Sequence, residues 1–166
     1  MHPAVIKHFM RYPSQLKVVK LLLSNGMCIR NGRVYSGEVE IADTAIARVV
    51  DVDRRIVRTA IETIEQDDEL NKIFSSILPT TMLKDVASVM GWGCIEIVPS
   101  DANEPGILAS VASIIAETGI SIRQAMVDDP DPTESPKLYV ITDEPVPSKI
   151  IPALMDCKGV KSLTIH

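Results

Sequence analysis

The chain has 166 residues, 46% of them hydrophobic, 23% charged and 4% aromatic, with a formal net charge of −5. That composition excludes a chain disordered throughout and provides for one or two small domains whose cores are built from Ile, Val, Leu, Met and Ala. No apolar run approaches the roughly 18–20 residues needed to span a bilayer, and the first residues carry no apolar signal core, so the expectation is a cytoplasmic protein with no membrane partner.

The charge is unevenly spread. Residues 1–61 carry +5, residues 62–90 carry −4 and residues 91–166 carry −6. A positive head on a negative tail suggests two modules with different partners, the head suited to a polyanion. Cys28, Cys94 and Cys157 are odd in number and far apart, which argues against a disulfide framework or a zinc site. His2, His8 and His166 form no metal-ligand pattern, so no metal is expected.

Ser14 is placed to cap a helix with apolar positions Leu16, Val19, Leu22 and Leu23, and Gly26 to end it in the left-handed conformation. Asn31-Gly32 lies between two short β-prone runs, a strong signal for a two-residue hairpin turn flanked by Arg30 and Arg33. Asp43 can cap a helix over Thr44–Val50. The turn Asp51-Val52-Asp53 follows, and a second helix runs from Arg54 to about Ile64. Ile46, Val50, Val52, Val57 and Ala60 supply buried positions, and Ala47 suits a close helix crossing. The second helix buries Ile56, Val57, Ala60, Ile61 and Ile64, and turns out Arg54, Arg55, Arg58, Thr59 and Glu62.

About twenty residues here resemble the helix-turn-helix of bacterial and archaeal transcription regulators. The chain departs from that pattern at Asp51, where the family usually has glycine and the backbone needs positive φ. The resemblance implies DNA as partner, with the start of the second helix in the major groove. Thr44, Arg54, Arg55, Arg58 and Thr59 are then the DNA-binding residues, joined by Arg30 and Arg33 of the hairpin, the one wing-like element in the sequence. The other reading of the pattern is a solvated face on a structural three-helix unit.

After an acidic stretch, Leu70, Ile73, Phe74 and Ile77, then Leu83, Val86, Ala87 and Met90, recur at helical spacing on either side of Pro79. They predict a helical connector over residues 67–91 between a domain at 1–66 and another at 92–166. The last segment reads as β-α-β-β-α-β: a strand over Trp92–Val98; a helix with Pro105 in its first turn, the stripe Ile107, Val111, Ile114 and Ile115, and Gly119 at its end; a strand over Ile120–Asp128; an acidic, proline-rich loop over 128–136; a strand over Lys137–Thr142; a helix over about 147–158, with Pro152 as a blemish; and a strand over Val160–Ile165. The fold class is α+β: a winged-helix-like helix-turn-helix domain, the connector, and a ferredoxin-like sandwich.

The strand Ile95-Glu96-Ile97-Val98, the loop Asp101–Gly106 with Pro105-Gly106, and Gly119-Ile120-Ser121-Ile122 resemble the ACT domain, an amino-acid-sensing module. Two departures stand in its ligand region: the extra Ala102-Asn103, and Ser121 where the family often has asparagine. The resemblance implies an amino-acid effector bound in a dimer, between the first loop of one subunit and the second strand of its partner. The implied ligand-binding residues are Asp101, Asn103, Glu104, Pro105, Gly106, Ile107, Ser121, Ile122 and Arg123. Backbone N–H groups at the helix start would hold the carboxylate, and Asp101 or Glu104 the ammonium. A plain dimerisation domain is the competing reading. The whole chain resembles archaeal regulators of amino acid metabolism that join these two modules. The expectation is a ligand-responsive DNA-binding transcription regulator, a homodimer or higher homo-oligomer through its ACT domain. The alternative is a regulatory subunit of an amino-acid biosynthetic enzyme that does not bind DNA. No catalytic residues, metal or cofactor are expected, because no acid–base pair, activated nucleophile or phosphate-cradling glycine loop stands out.

Overall fold

A computed structural model describes residues 3–128 and 135–166, in two compact units, Met1–Thr81 and Met82–His166. His2 and most of the acidic loop expected over 128–136 lie outside the described residues.

In the first unit, α1 (Pro3–Phe9) and α2 (Pro13–Ser24) precede a three-stranded antiparallel sheet of β1 (Met27–Arg30), β2 (Arg33–Ser36) and β3 (Val39–Ile41). Three further helices follow: α3 (Asp43–Val50), α4 (Arg54–Gln66) and α5 (Asp68–Ser76). Ser14 does not cap α2. Pro13 occupies the first turn, where its fixed φ suits the helix and its missing N–H loses no bond, and Tyr12 becomes the cap residue without a side-chain bond. The far end is as the sequence suggests. Gly26 adopts φ +61°, and Asn25 Nδ2 donates to Leu21 O at 3.0 Å. A Cβ on Gly26 would also lie 2.6 Å from Pro79 Cα, so glycine is needed for space as well as conformation.

At the Asn31-Gly32 hairpin, Arg30 pairs with Arg33 and the two turn residues have φ of +49° and +70°. Positive φ at both central positions is the type I′ turn, whose twist matches the flanking strands. The third strand was not legible, being three residues long and mostly exposed. Asp43 does not cap α3. Ala42 holds that place, and Asp43 enters the first turn, where its charge opposes the helix dipole. Asp51 has φ +53°, ψ +62°, the left-handed conformation expected there. Asp53 caps α4 by accepting from the Arg55 N–H at 2.8 Å. Asp67 caps α5 by accepting from Glu69 and Leu70.

Residues 67–91 are not a separate connector. Leu70 and Phe74 of α5 are fully buried in the same core as Val5, Phe9, Leu22, Ile46, Val57, Ile61 and Ile64, so this helix closes the first unit. The short α6 (Lys84–Ala87) belongs to the second.

The second unit runs β4 (Gly93–Pro99), α7 (Ile107–Ala116), β5 (Ile122–Val127), β6 (Leu138–Thr142), a 3₁₀ turn at Ser148–Ile150, α8 (Ile151–Met155) and β7 (Val160–Ile165). The sheet order is β5-β6-β4-β7, all antiparallel, which is how a βαββαβ chain places its first and third strands centrally. Ile95, Ile97, Leu138 and Val140 form a core with Ile107, Val111 and Ile115 of α7 and Leu154 of α8. Pro105 falls outside α7. Gly106, at φ +95°, interrupts the helical path and serves as its cap residue, so the helix begins at Ile107. The helix expected over 147–158 is shorter, and Pro152 sits in the first turn of α8, where it breaks no hydrogen bond.

The opposite face of this sheet packs Cys94 and Ile141 against Ala87, with Leu83, Trp92 and Tyr139 around them. Beside them Glu96 is only 8% exposed. Its carboxylate takes Lys84 and Lys137 at 2.5 Å each, and His166 Nε2 lies 3.4 Å away. The hydrogen bonds from Lys137 and Lys84 outweigh the desolvation and hold the Glu96 carboxyl at about 2, below its ordinary 4.5. The ionised form is therefore favoured by folding. The resulting stability is complete above about pH 4.5 and is lost as the pH falls from there towards about 2. Trp92 is the one tryptophan and lies in this unit, so urea unfolding followed by its fluorescence should show the midpoint falling across that window. Glu96→Gln should be less stable at neutral pH and should flatten the dependence.

Candidate functional site

The first candidate site lies where α3, α4 and the small sheet meet. Arg33, Thr44, Arg54, Arg55 and Arg58 line a concavity of about 470 Å³, together with Glu40, Ile41, Ala42 and Asp43. The local sequence explains the gathering. The left-handed residue at Asp51 reverses the chain, and Asp53 starts α4 with three arginines in its first five positions. Val57, Ala60, Ile61 and Ile64 bury the opposite side of the helix.

The arginines are not equivalent. Arg54 is exposed and has no hydrogen bond or ion pair among the described residues. Arg55 Nε donates to Asp53 Oδ1 at 3.0 Å. That bond and the cap bond from the Arg55 N–H hold the Asp53 carboxyl below its ordinary range. Arg33 is paired with Glu40, which raises its own affinity for the proton. Arg58 donates through NH1 to Gly32 O at 2.6 Å, with Asp43 at 4.0 Å and Glu62 at 3.9 Å.

Two expected residues stand apart. Arg30 donates to Gly37 O, lies 3.5 Å from Glu38 and stacks over the Tyr35 ring at 4.7 Å, so it braces the sheet. Thr59 turns its hydroxyl back to Arg55 O at 2.9 Å. Sequence reasoning missed Glu65, whose Oε1 accepts from the Gly32 N–H at 2.5 Å. The available signal was its spacing of seven from Arg58, which puts both on one face of α4.

The second candidate site is a cavity of about 140 Å³ at one end of the four-stranded sheet. Glu104, Gly106, Ile107 and Leu108 form one wall, with Ala102 and Pro99. Val127, Asp128, Pro136, Lys137 and Leu138 form the other. Of the expected ligand residues, Glu104, Gly106 and Ile107 line it. Glu104 is held by Lys158 at 2.7 Å. Asp101, Asn103 and Pro105 lie in the adjoining loop outside the lining, and Asp101 accepts from the Asn103 N–H at 2.9 Å. Ser121, Ile122 and Arg123 are not brought to this cavity. Ile122 pairs with Thr142, whereas Val127 pairs with Leu138, so they occupy the far end of the same strand. There the Ser121 N–H donates to Asp143 at 3.1 Å, Ile122 packs on the core, and the Arg123 guanidinium stacks 3.9 Å over Trp92.

Residues 102–159 match the ACT domain family. No curated protein matches the sequence significantly. Solved structures with similarity include Escherichia coli AsnC, at 14% identity and TM-score 0.30, covering 92% of this chain and 88% of that one. An AsnC family transcriptional regulator from Agrobacterium tumefaciens is 9% identical, with TM-score 0.30 and coverages of 93% and 87%. The Neisseria meningitidis transcriptional regulator NMB0573, solved as a complex with L-Met, is 10% identical, with TM-score 0.28 and coverages of 93% and 86%. Among the described residues no cluster of His, Cys, Asp or Glu could hold a metal ion, and no helix is long and apolar enough to cross a membrane.

The turn that organises the first site is testable through Asp51. A left-handed conformation costs a residue with a Cβ about 1 kcal/mol more than glycine. Asp51→Gly should therefore raise the denaturation midpoint of the first unit by an amount of that order, and Asp51→Val should lower it. Chemical denaturation followed by hydrogen exchange of α3 and α4 amides measures both.

Proposed function

We propose that the chain is a DNA-binding transcription regulator whose second unit senses a small molecule, an amino acid by its ACT-like character. The gathering of Arg33, Thr44, Arg54, Arg55 and Arg58 around one concavity carries the DNA reading. The N-terminus of α4 adds its positive dipole end to those cations, with Asp53 already holding the Arg55 N–H. Phosphate oxygens suit this surface, and the exposed Arg54 is free to reach a base edge or a phosphate. In this reading the first unit is a winged-helix-like helix-turn-helix domain with α4 as its recognition helix.

Support for ligand sensing comes from the ACT match and from the cavity at the start of α7, whose apolar walls are interrupted by Glu104, Asp128, Lys137 and the Gly106 backbone. Pairing of two chains through the second unit would place two recognition helices on one duplex. The function needs no catalytic group, cofactor or metal.

Titration of a labelled duplex by fluorescence anisotropy tests the DNA reading. Arg54→Ala should weaken binding about tenfold and lower the slope of log affinity against log salt by about 1. Unchanged affinity and slope would remove α4 from the interface. The sensing reading is checked by a thermal-shift screen against the twenty amino acids. At about one hundred times its dissociation constant a ligand stabilises by about 2.7 kcal/mol, and the transition of the second unit should rise on the order of ten degrees. Val127→Trp, at an exposed strand position lining the cavity, should abolish that rise while the protein still melts cooperatively. A screen with no hit would leave the second unit as a dimerisation element.

A further inference from the structure

The tip of the 27–36 hairpin is held in an unusual way. In a two-residue turn the N–H and the carbonyl of the second turn residue lie outside the ladder and ordinarily face water. Here both polar groups of Gly32 are taken by one helix. Its N–H donates to Glu65 Oε1 at 2.5 Å, and its carbonyl accepts from Arg58 NH1 at 2.6 Å. Arg58 and Glu65 are seven residues apart, two turns of α4, so both project from one face of the helix and hold the two polar groups of Gly32. The next residue, Arg33, lines the same concavity as Arg54 and Arg55.

We propose that Arg58 and Glu65 are positioning residues that clamp the hairpin beside α4, so that Arg33 meets the same stretch of phosphate backbone as the recognition helix. The inference rests on the DNA-binding reading above and changes the role of Arg58 within it. Its NH1 group is committed to Gly32, so it builds the surface rather than reading a base. The acidic Glu65 contributes to binding a polyanion through the backbone it fixes. Arg33 waits on Glu40 and exchanges that partner for phosphate when DNA arrives.

Two measurements on the full chain test this, with an unrelated duplex as the DNA probe. First, amide hydrogen exchange at Gly32 should accelerate at least about tenfold in Glu65→Ala. It should stay slow in Glu65→Gln, which keeps an acceptor oxygen, while the strand amides of the hairpin keep their protection in both. Second, Arg33→Ala should weaken duplex binding about fivefold, roughly the worth of one hydrogen bond, in wild type and in Glu65→Gln. It should have no further effect in Glu65→Ala, where the hairpin is already released. Should Glu65→Ala fail to fold, Arg58→Met removes the arm on the Gly32 carbonyl and is read by the second measurement, in which Arg33→Ala should then have no further effect. An unchanged Gly32 exchange rate, or an Arg33→Ala effect that is the same in every background, overturns the clamp. Wild-type protein that binds no duplex overturns the function itself and with it the hairpin's role.

Discussion

Asp51 adopts a backbone conformation that residues with a Cβ avoid, and the arrangement of the first unit follows from it. With φ at +53° the chain leaves α3 and, within three residues, begins α4. The small side chain of Ala47 fits the crossing, its carbonyl accepts from the Val52 N–H at 3.0 Å, and Ile46 packs with Val57, Ala60 and Ile61 in one core. Once that side of α4 is buried, helical periodicity leaves Arg54, Arg55 and Arg58 no course but outward. The core and the basic surface are therefore two consequences of a single turn. An aspartate there is tolerable because its short polar side chain is among the few compatible with the left-handed region.

The basic surface is prearranged by its own acids. Asp53 holds Arg55, Glu40 holds Arg33, and Asp43 and Glu62 flank Arg58. Exposed pairs of this sort add little to stability, but they fix side chains that would otherwise sample many rotamers. Less entropy is then lost on binding, at the cost of breaking some of these pairs. A polyanion bound as proposed would have to outcompete local carboxylates, which favours an extended array of phosphates over an isolated anion. Arg54, with no ion pair among the described residues, meets less of this competition, from the nearby Asp53 charge.

Much of this was legible in the sequence because it is local. The Asn31-Gly32 turn, the Asp51 turn, the stripe of α4 and the succession of strands and helices in the second unit all depend on residues close along the chain or on strict alternation. The failures have physical causes as well. Ser14 and Asp43 are good capping residues by type, yet Pro13 and Ala42 set where the helices begin. Apolar spacing identified α5 as a helix but could not say which core it joins, since Leu70 and Phe74 would satisfy any partner. Glu65 was hidden because its role is a contact 33 residues distant, and the acidic run after Ile64 reads as repulsive to DNA when taken as charge alone.

The second unit poses a geometric question that its own strands decide. The loop before α7 and the start of β5 are expected to share a ligand across two subunits, and antiparallel pairing does fix them at opposite ends of the sheet within one chain. No rotamer change carries Ser121 or Arg123 to Glu104 across the length of β5, about six residues at roughly 3.4 Å each. A ligand touching both sets of residues therefore requires two chains, with the loop of one against the strand of the other. A ligand confined to the cavity beside Gly106 requires only one, and would use Val127 and Leu138 in place of Ser121 and Arg123. The two arrangements differ in stoichiometry and in concentration dependence, because only the first makes ligand affinity and chain association reciprocal. Binding measured across a range of protein concentrations separates them without knowledge of the ligand's identity beyond the one that gives a shift.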